Sequence, residues 1–308
     1  MALANDPLWP RAGGWPAPGG PGDGGEIVDL ALIGIPTWRT SITPGGTGST
    51  PKAVRAALSY YSEFWSPDRS VHHTVPYRNL RAVDWGDIDE PDGPAGESRA
   101  AAAVALAAAG SRLVVAIGGD NAATVPAALG AWGTRIESAG LVTLDAHHDL
   151  RDGVTNGSPV RRLIEAGLAG HRVVQVGIAD FANSADYSAR AADYGITVVH
   201  RDELHRRPME DVMAEAFAVA GSAGGPIHVD LDLDVCDRAV VPACPAALPG
   251  GISAYEFRTA ARAAGAHPAV ESVDLTEVDA ERDSQDGRTV RLVALGVLEI
   301  SAGLRMRA

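Results

Sequence analysis

Residues 140–149 read GLVTLDAHHD, and residues 227–237 read IHVDLDLDVCD. Each is a short apolar, β-branched run that passes straight into closely spaced acids. Runs of this length and composition read as strands buried on both faces of a sheet. Two further segments repeat the plan: LVVAI at 113–117 leads into GGDN at 118–121, and SVDL at 272–275 leads into TEVD at 276–279. In an open parallel sheet, ligands bind outside the carboxyl ends of the strands. The four acidic or Gly-rich segments are therefore expected to meet in one crevice.

Working outward, strand candidates cover 28–35, 112–117, 140–144, 173–176, 196–199, 227–231 and 270–275. Helix candidates cover 51–61, 97–109, 122–129, 160–166, 208–220 and 254–264. This alternation predicts an α/β fold, a three-layer α/β/α sandwich around a central, mostly parallel sheet. Thr50 reads as a helix cap before Pro51 in the first turn. The run AAAVALAAAG has helical propensity and ends in Gly110, a C-cap residue. RAGGWPAPGGPGDGGE at 11–26 reads as irregular, so the expected organisation is a Gly/Pro-rich arm, 1–26, ahead of a single domain, 27–308. No internal repeat is evident.

A chain of 308 residues with 46% hydrophobic residues can bury a large core in one domain. The net charge of -13 and a single lysine, Lys52, leave no cationic stretch for a phosphate backbone and exclude nucleic acid as the expected partner. The N-terminus lacks a basic start and an apolar run, and no apolar stretch has the length of a membrane span. A cytoplasmic protein acting on a small molecule is expected. Cys236 and Cys244 lie eight apart and read as reduced thiols without an assigned role.

Carboxylates beside apolar strands are costly unless compensated, and basic residues near these motifs are few. A divalent cation is the simplest compensation. On an extended segment Asp145, His147 and Asp149 alternate onto one face, as do Asp232 and Asp234 with Asp230 one step back. One imidazole and at least four carboxylates form an oxygen-rich set suited to Mn²⁺ or a similar cation, and enough to bridge two ions. Taken alone, each D-x-D or D-x-H also fits a turn or a cap. Their recurrence at the ends of separate strands favours the metal reading.

Together these motifs resemble the ureohydrolase superfamily of arginase, agmatinase, guanidinobutyrase and formimidoylglutamase. IGIPTWRTSITPGGTGSTPKAVR at 33–55 looks like that family's strand-loop-helix opening; DAHHD fits D-A-H-x-D, and DLDVCD followed by PGGIS fits D-x-D-x-x-D followed by P-G-G-L-S. The resemblance implies two Mn²⁺ ions bridged by Asp145 and Asp232, with Asp149 completing one site and His147 and Asp234 the other. It implies a hydroxide that attacks an amidine carbon, with Asp149 passing its proton to the leaving nitrogen. Glu277 of TEVD would hold the amidinium or guanidinium by charge-assisted hydrogen bonds. Trimers or hexamers are common in the family, and no feature of the sequence marks an interface.

Two departures from the family pattern bear on function. Asn121, in GGDN, stands where the family has a histidine ligand in GGDH; an amide oxygen is a poorer donor, so one metal would be held less tightly. His148 does not replace it, because neighbouring side chains on an extended segment face opposite ways. Asn156, in TNGSPVRR, stands where agmatinase and arginase carry a histidine that shuttles protons during guanidine cleavage. Its absence, with a faintly similar PLWPRAGGWP start, tilts the reading toward formimidoylglutamase-like members and N-formimidoyl-L-glutamate, giving glutamate and formamide. A carboxylated substrate needs cationic or hydroxyl contacts. Asn156, Ser158 and Arg161 are the candidates, with Thr155 and Arg151 near the mouth and Trp38 and Arg39 in the first loop. His72 and His73 read as surface residues and His228 as core. Two alternatives stay open: a guanidine hydrolase that releases urea, and a non-catalytic relative serving as a binding or assembly subunit.

Overall fold

The computed structural model describes residues 6–19, 27–62, 64, 65, 75, 76 and 80–307; His72, His73 and part of the Gly/Pro-rich arm lie outside them. In chain order the elements are β1 (Val28–Ile35), α1 (Thr50–Leu58), the two-residue strands β2 (Phe64–Trp65) and β3 (Val75–Pro76), β4 (Ala82–Asp87), α2 (Gly96–Ala109), β5 (Ser111–Gly118), α3 (Thr124–Trp132), β6 (Gly140–Leu144), α4 (Pro159–Glu165), β7 (Val173–Ile178), α5 (Ala185–Asp193), β8 (Thr197–His200), α6 (Arg201–Leu204), α7 (Met209–Ala220), β9 (Ile227–Asp232), α8 (Ala254–Ala266), β10 (Val270–Thr276) and α9 (Arg288–Leu304).

Eight strands form one sheet in the order β4-β1-β5-β10-β9-β6-β7-β8, with every pair parallel. Strand geometry explains the layering. In β1, Leu30 and Leu32 pack into one core while Ala31, Ile33 and Ile35 pack into the other, as a period of two requires. Helices α1, α7, α8 and α9 cover the first face, and α2, α3, α4 and α5 cover the second. Small residues allow close helix contact: a Cβ at Gly265 in α8 would lie 2.0 Å from the Ile300 carbonyl oxygen in α9.

Some local expectations need correction. Thr50 is not a cap: it is the first helical residue of α1, and its hydroxyl donates to the Val278 carbonyl, tying the helix to the segment after β10. Six elements were not expected: the short β2, β3 and α6, and the longer β4, α5 and α9. β4 is a polar edge strand whose Asp84 and Asp87 pair with Arg55 of α1. α5 shows only one buried residue, Ala191. α9, 17 residues long, had its i, i+3, i+4 signal in Val290, Val293, Ala294 and Val297, interrupted by Gly296. Residues 6–19 are irregular, held by Ala12 N–H to the Tyr61 carbonyl and by Asp84 N–H to the Pro16 carbonyl. Among the described residues no helix is long and apolar enough to cross a membrane.

Candidate active site

The four central strands, β5, β10, β9 and β6, are the four that run into the acidic segments. Parallel pairing puts their carboxyl ends on one side, so Asn121, Glu277, Asp232 and Asp145 converge although they are far apart in the chain. Asp145 follows β6, Asp232 closes β9, Asp234 sits in a single 3-10 turn, and Glu277 follows β10. Asp145, His147 and Asp234 bring one ligand atom each within 4.8 Å of one another. His147 Nδ1 lies 2.7 Å from Asp234 Oδ2 and 3.4 Å from Asp145 Oδ1. Beside this group opens a cavity of about 160 Å³ whose walls include His147, Asp149, Asp232, Asp234, Asn156 and Glu277.

Asp230 and Asp232 do share a face by alternation in β9, but Asp234, Asp145 and Asp149 lie beyond the strands. β6 stops at Leu144, and Asp149 reaches the cluster with φ of 54°. Glu277 likewise has φ of 61°. Left-handed backbone is uncommon for residues other than glycine and is stored strain where it occurs at a site.

Asn121 and Asn156 organise the two residues expected to do chemistry. Asn121 Nδ2 donates to Asp149 Oδ2 at 2.7 Å, while its Oδ1 accepts from the hydroxyls of Thr124 and Thr276 at 2.8 and 2.9 Å. The amide thus turns its nitrogen, not its oxygen, to the cluster. Glu277 Oε1 accepts from Asn121 N–H at 2.8 Å and Asn156 Nδ2 at 2.7 Å.

Burial dominates the electrostatics. Buried beside Asp234 and Asp149, Asp145 has its pKa pushed well up, and Asp232 is pushed up by burial with Asp234 and Asp145. Burial raises Asp149 to about 7, and burial with Asp120 nearby raises Glu277 to about 8. Burial alone would lower the His147 pKa, but the adjacent Asp234 and Asp145 carboxylates drive it up to about 12. Burial would raise Asp234, yet His147 holds it below the usual carboxylate range. Crowded buried carboxylates with one imidazole are a donor set that a divalent cation relieves, so the residues fit a metal.

A pH dependence follows. Asp149 and Glu277 both have folded pKa values raised above their ordinary 3.8 and 4.5. The folded state then holds these protons more tightly, and the stability they contribute is lost as pH rises through about 7 to 8. His147, raised as well, changes in the same direction. The thermal midpoint of metal-stripped protein is expected to fall between about pH 5 and about pH 8.5, and a bound divalent cation should flatten or reverse that slope by displacing the protons. A midpoint that climbs with pH in chelator would contradict this account.

Other expected residues fall elsewhere. Ser158 is buried ahead of α4, its hydroxyl exchanging hydrogen bonds with the Thr155 carbonyl and N–H, so it is spent on the loop and does not line the cavity. Arg161 points away too: its guanidinium holds the carbonyls of Arg151 and Gly153 and the Glu165 carboxylate. Trp38 is half exposed and Arg39 pairs with Glu90 and Asp92; from that first loop it is Ile42 and Thr43 that border the cavity. His148 is buried against Gln175 and Ser188, and His228 against Ser272 and Asp274. Cys236 and Cys244 are free and buried.

Sequence reasoning missed four contributors. Arg201, at the start of α6, is buried behind the cluster with its guanidinium 3.2 Å from the Asp234 carbonyl, and nothing in the polar run RDEL signals this. Asp274 of β10 is buried against Asp230 and His228; its place in an apolar strand was the available signal. Asn183 and Tyr187 wall the cavity from the α5 side, in a segment with few apolar residues.

A three-layer fold with a buried carboxylate and imidazole cluster at the strand ends defines a metal-dependent hydrolase. Residues 28–302 match the model of the arginase family, and the chain belongs to that family. It is 30% identical over 292 residues to a formimidoylglutamase of Halalkalibacterium halodurans, covering 92% of this chain and 89% of that one. A guanidinopropionase of Pseudomonas aeruginosa is 32% identical over 249 residues, 76% of this chain and 74% of its own. The crystal structure of formimidoylglutamase from Bacillus subtilis superposes with a TM-score of 0.87 at 26% identity, over 99% of this chain and 95% of that one. The protein is accordingly an enzyme, a hydrolase of C–N bonds in linear amidines.

Proposed function

We propose that the enzyme hydrolyses N-formimidoyl-L-glutamate to L-glutamate and formamide, using two Mn²⁺ ions. The observation that carries this reading is Asn156: it lines the cavity and donates to Glu277, leaving His147 as the cavity's single imidazole among the described residues. A guanidine hydrolase of the arginase or agmatinase pattern would have a proton-shuttling histidine where Asn156 stands. The named formimidoylglutamase relatives, aligned over about nine-tenths of the chain, support the same substrate.

Asp145, His147, Asp149, Asp232 and Asp234 would hold the ions. When bound, the ions supply Lewis acidity that brings the pKa of water toward neutrality. Glu277 presents Oε2 to the substrate, since Oε1 is already fixed by two donors, and that free oxygen receives the amidinium N–H. Asp149 Oδ2 is fixed by Asn121, which leaves Oδ1 to take a proton from the attacking water and return it to the departing glutamate nitrogen. With its oxygen engaged by two hydroxyls, Asn121 acts as the orienter of Asp149, and an ion on that side would have fewer protein donors to hold it.

The test is product analysis of the Mn²⁺-loaded enzyme with N-formimidoyl-L-glutamate, 4-guanidinobutyrate, 3-guanidinopropionate and agmatine. Formamide and glutamate are expected from the first, with at least about 100-fold lower kcat/KM for the guanidines. Urea release without formamide would overturn the assignment in favour of a guanidine hydrolase, the reading to which the guanidinopropionase relative lends weight.

A further inference from the structure

We infer that Arg151 is the specificity-determining residue that binds the carboxylate tail of the substrate, so that the enzyme selects amidines with an anionic end. The inference rests on the amidine reading above and adds a residue and a charge requirement to it. Four carboxylates line the cavity, those of Asp149, Asp232, Asp234 and Glu277, and Arg151 is the single arginine or lysine among the lining residues. On a chain with net charge -13, and with the buried acids given over to the metal group, an anionic substrate tail finds one cationic side chain in the cavity lining.

The neighbouring arginines are all committed. Arg161 holds Glu165 and two carbonyls, Arg162 holds Glu97, and Arg190 holds Asp152 and the Leu150 carbonyl. Arg151 has no carboxylate at ion-pair distance among the described residues. Its guanidinium carbon lies 5.8 Å from the centre of the Tyr187 ring, a cavity wall, so the fork has a platform and keeps its N–H donors.

The loop is shaped to hold it there. Arg151 N–H donates to the Gly157 carbonyl, which closes the segment 151–157 on itself. A Cβ at Gly157 would lie 2.7 Å from Arg151 Cδ and 3.1 Å from its Nε, so the arginine stem lies in a groove that only glycine leaves open. Glu277 at the inner end takes a cationic amidinium, and Arg151 at the outer end takes an anion. The cavity therefore fits a substrate charged oppositely at its two ends, and an amine-tailed guanidine would meet a like charge at the mouth.

The test uses Mn²⁺-loaded enzyme, Arg151→Ala, Arg151→Glu and Gly157→Ala, with three formamidines: N-formimidoyl-L-glutamate, a neutral N-alkylformamidine and an amine-tailed formamidine. Metal content is checked for each protein. In Arg151→Ala the kcat/KM ratio of the carboxylated to the neutral substrate is expected to fall about 30-fold, mostly through KM. Arg151→Glu should shift preference to the amine-tailed compound, and Gly157→Ala, which keeps the charge but displaces the stem, should lower the ratio about 3- to 10-fold. A ratio unmoved in Arg151→Ala, with both substrates falling together, would overturn the assignment. Calorimetric titration of N-formimidoyl-L-glutamate separates this from the parent reading: if wild type turns over no amidine, the proposed function fails, and an equal Kd for wild type and Arg151→Ala would still overturn the role of Arg151.

Discussion

Asp232→Ala is expected to lose bound metal and turnover together. Asp232 closes β9 inside the cluster, buried, with its Oδ1 accepting the Asp234 N–H at 2.8 Å, so its other oxygen is the one free to serve a cation. Removing a shared ligand should lower metal content per chain by at least one ion and reduce kcat by at least about 10³-fold, about 4 kcal/mol of barrier. The same change removes one of several mutually repelling buried acids, so the metal-free variant should melt at or above the temperature of metal-free wild type. That second measurement separates loss of a ligand from loss of the fold. Full metal content with full activity would sink the assignment.

Glu277→Gln is expected to leave metal binding in place and to cut kcat/KM at least about 100-fold, about 3 kcal/mol. The reason lies in which oxygen is already occupied. Asn121 N–H and Asn156 Nδ2 both donate to Oε1, so a glutamine would keep its oxygen there and turn its amide nitrogen to the cavity. A cationic amidinium would then face a donor where it needs an acceptor. Steady-state kinetics with elemental analysis decides the matter. Loss of metal in proportion to activity would move Glu277 into the ligand set.

Much of the fold was legible because parallel strands buried on both faces are written as unbroken apolar runs. The inner strands β5, β6, β9 and β10 were all read, and they carry the site. Edges were harder. β4, AVDWGD, is short and half-exposed because one side lacks a partner, and α5 contributes almost nothing to the core. The site's residue types were legible for a different reason: carboxylates beside such strands are anomalies that need an explanation. Side-chain directions were not. No spacing rule tells that Asn121 would offer nitrogen to Asp149, because that depends on two hydroxyls, Thr124 and Thr276, one of them 155 positions away. Ser158 and Arg161 were placed near the mouth by proximity in sequence, yet a helix start consumes such groups locally.

Asp149 and Glu277 stand in left-handed backbone, at φ of 54° and 61°, a conformation that costs about 1–3 kcal/mol for a side-chain-bearing residue. Glycine would relieve that cost at both positions and remove two buried acids as well. Around the reacting groups, therefore, the sequence of greatest thermal endurance and the working sequence are different sequences. On the roles proposed for Asp149 and Glu277, selection for endurance alone would drift toward glycine at both and leave an inert protein of the same shape, so a search for sturdier variants would hold these two positions fixed.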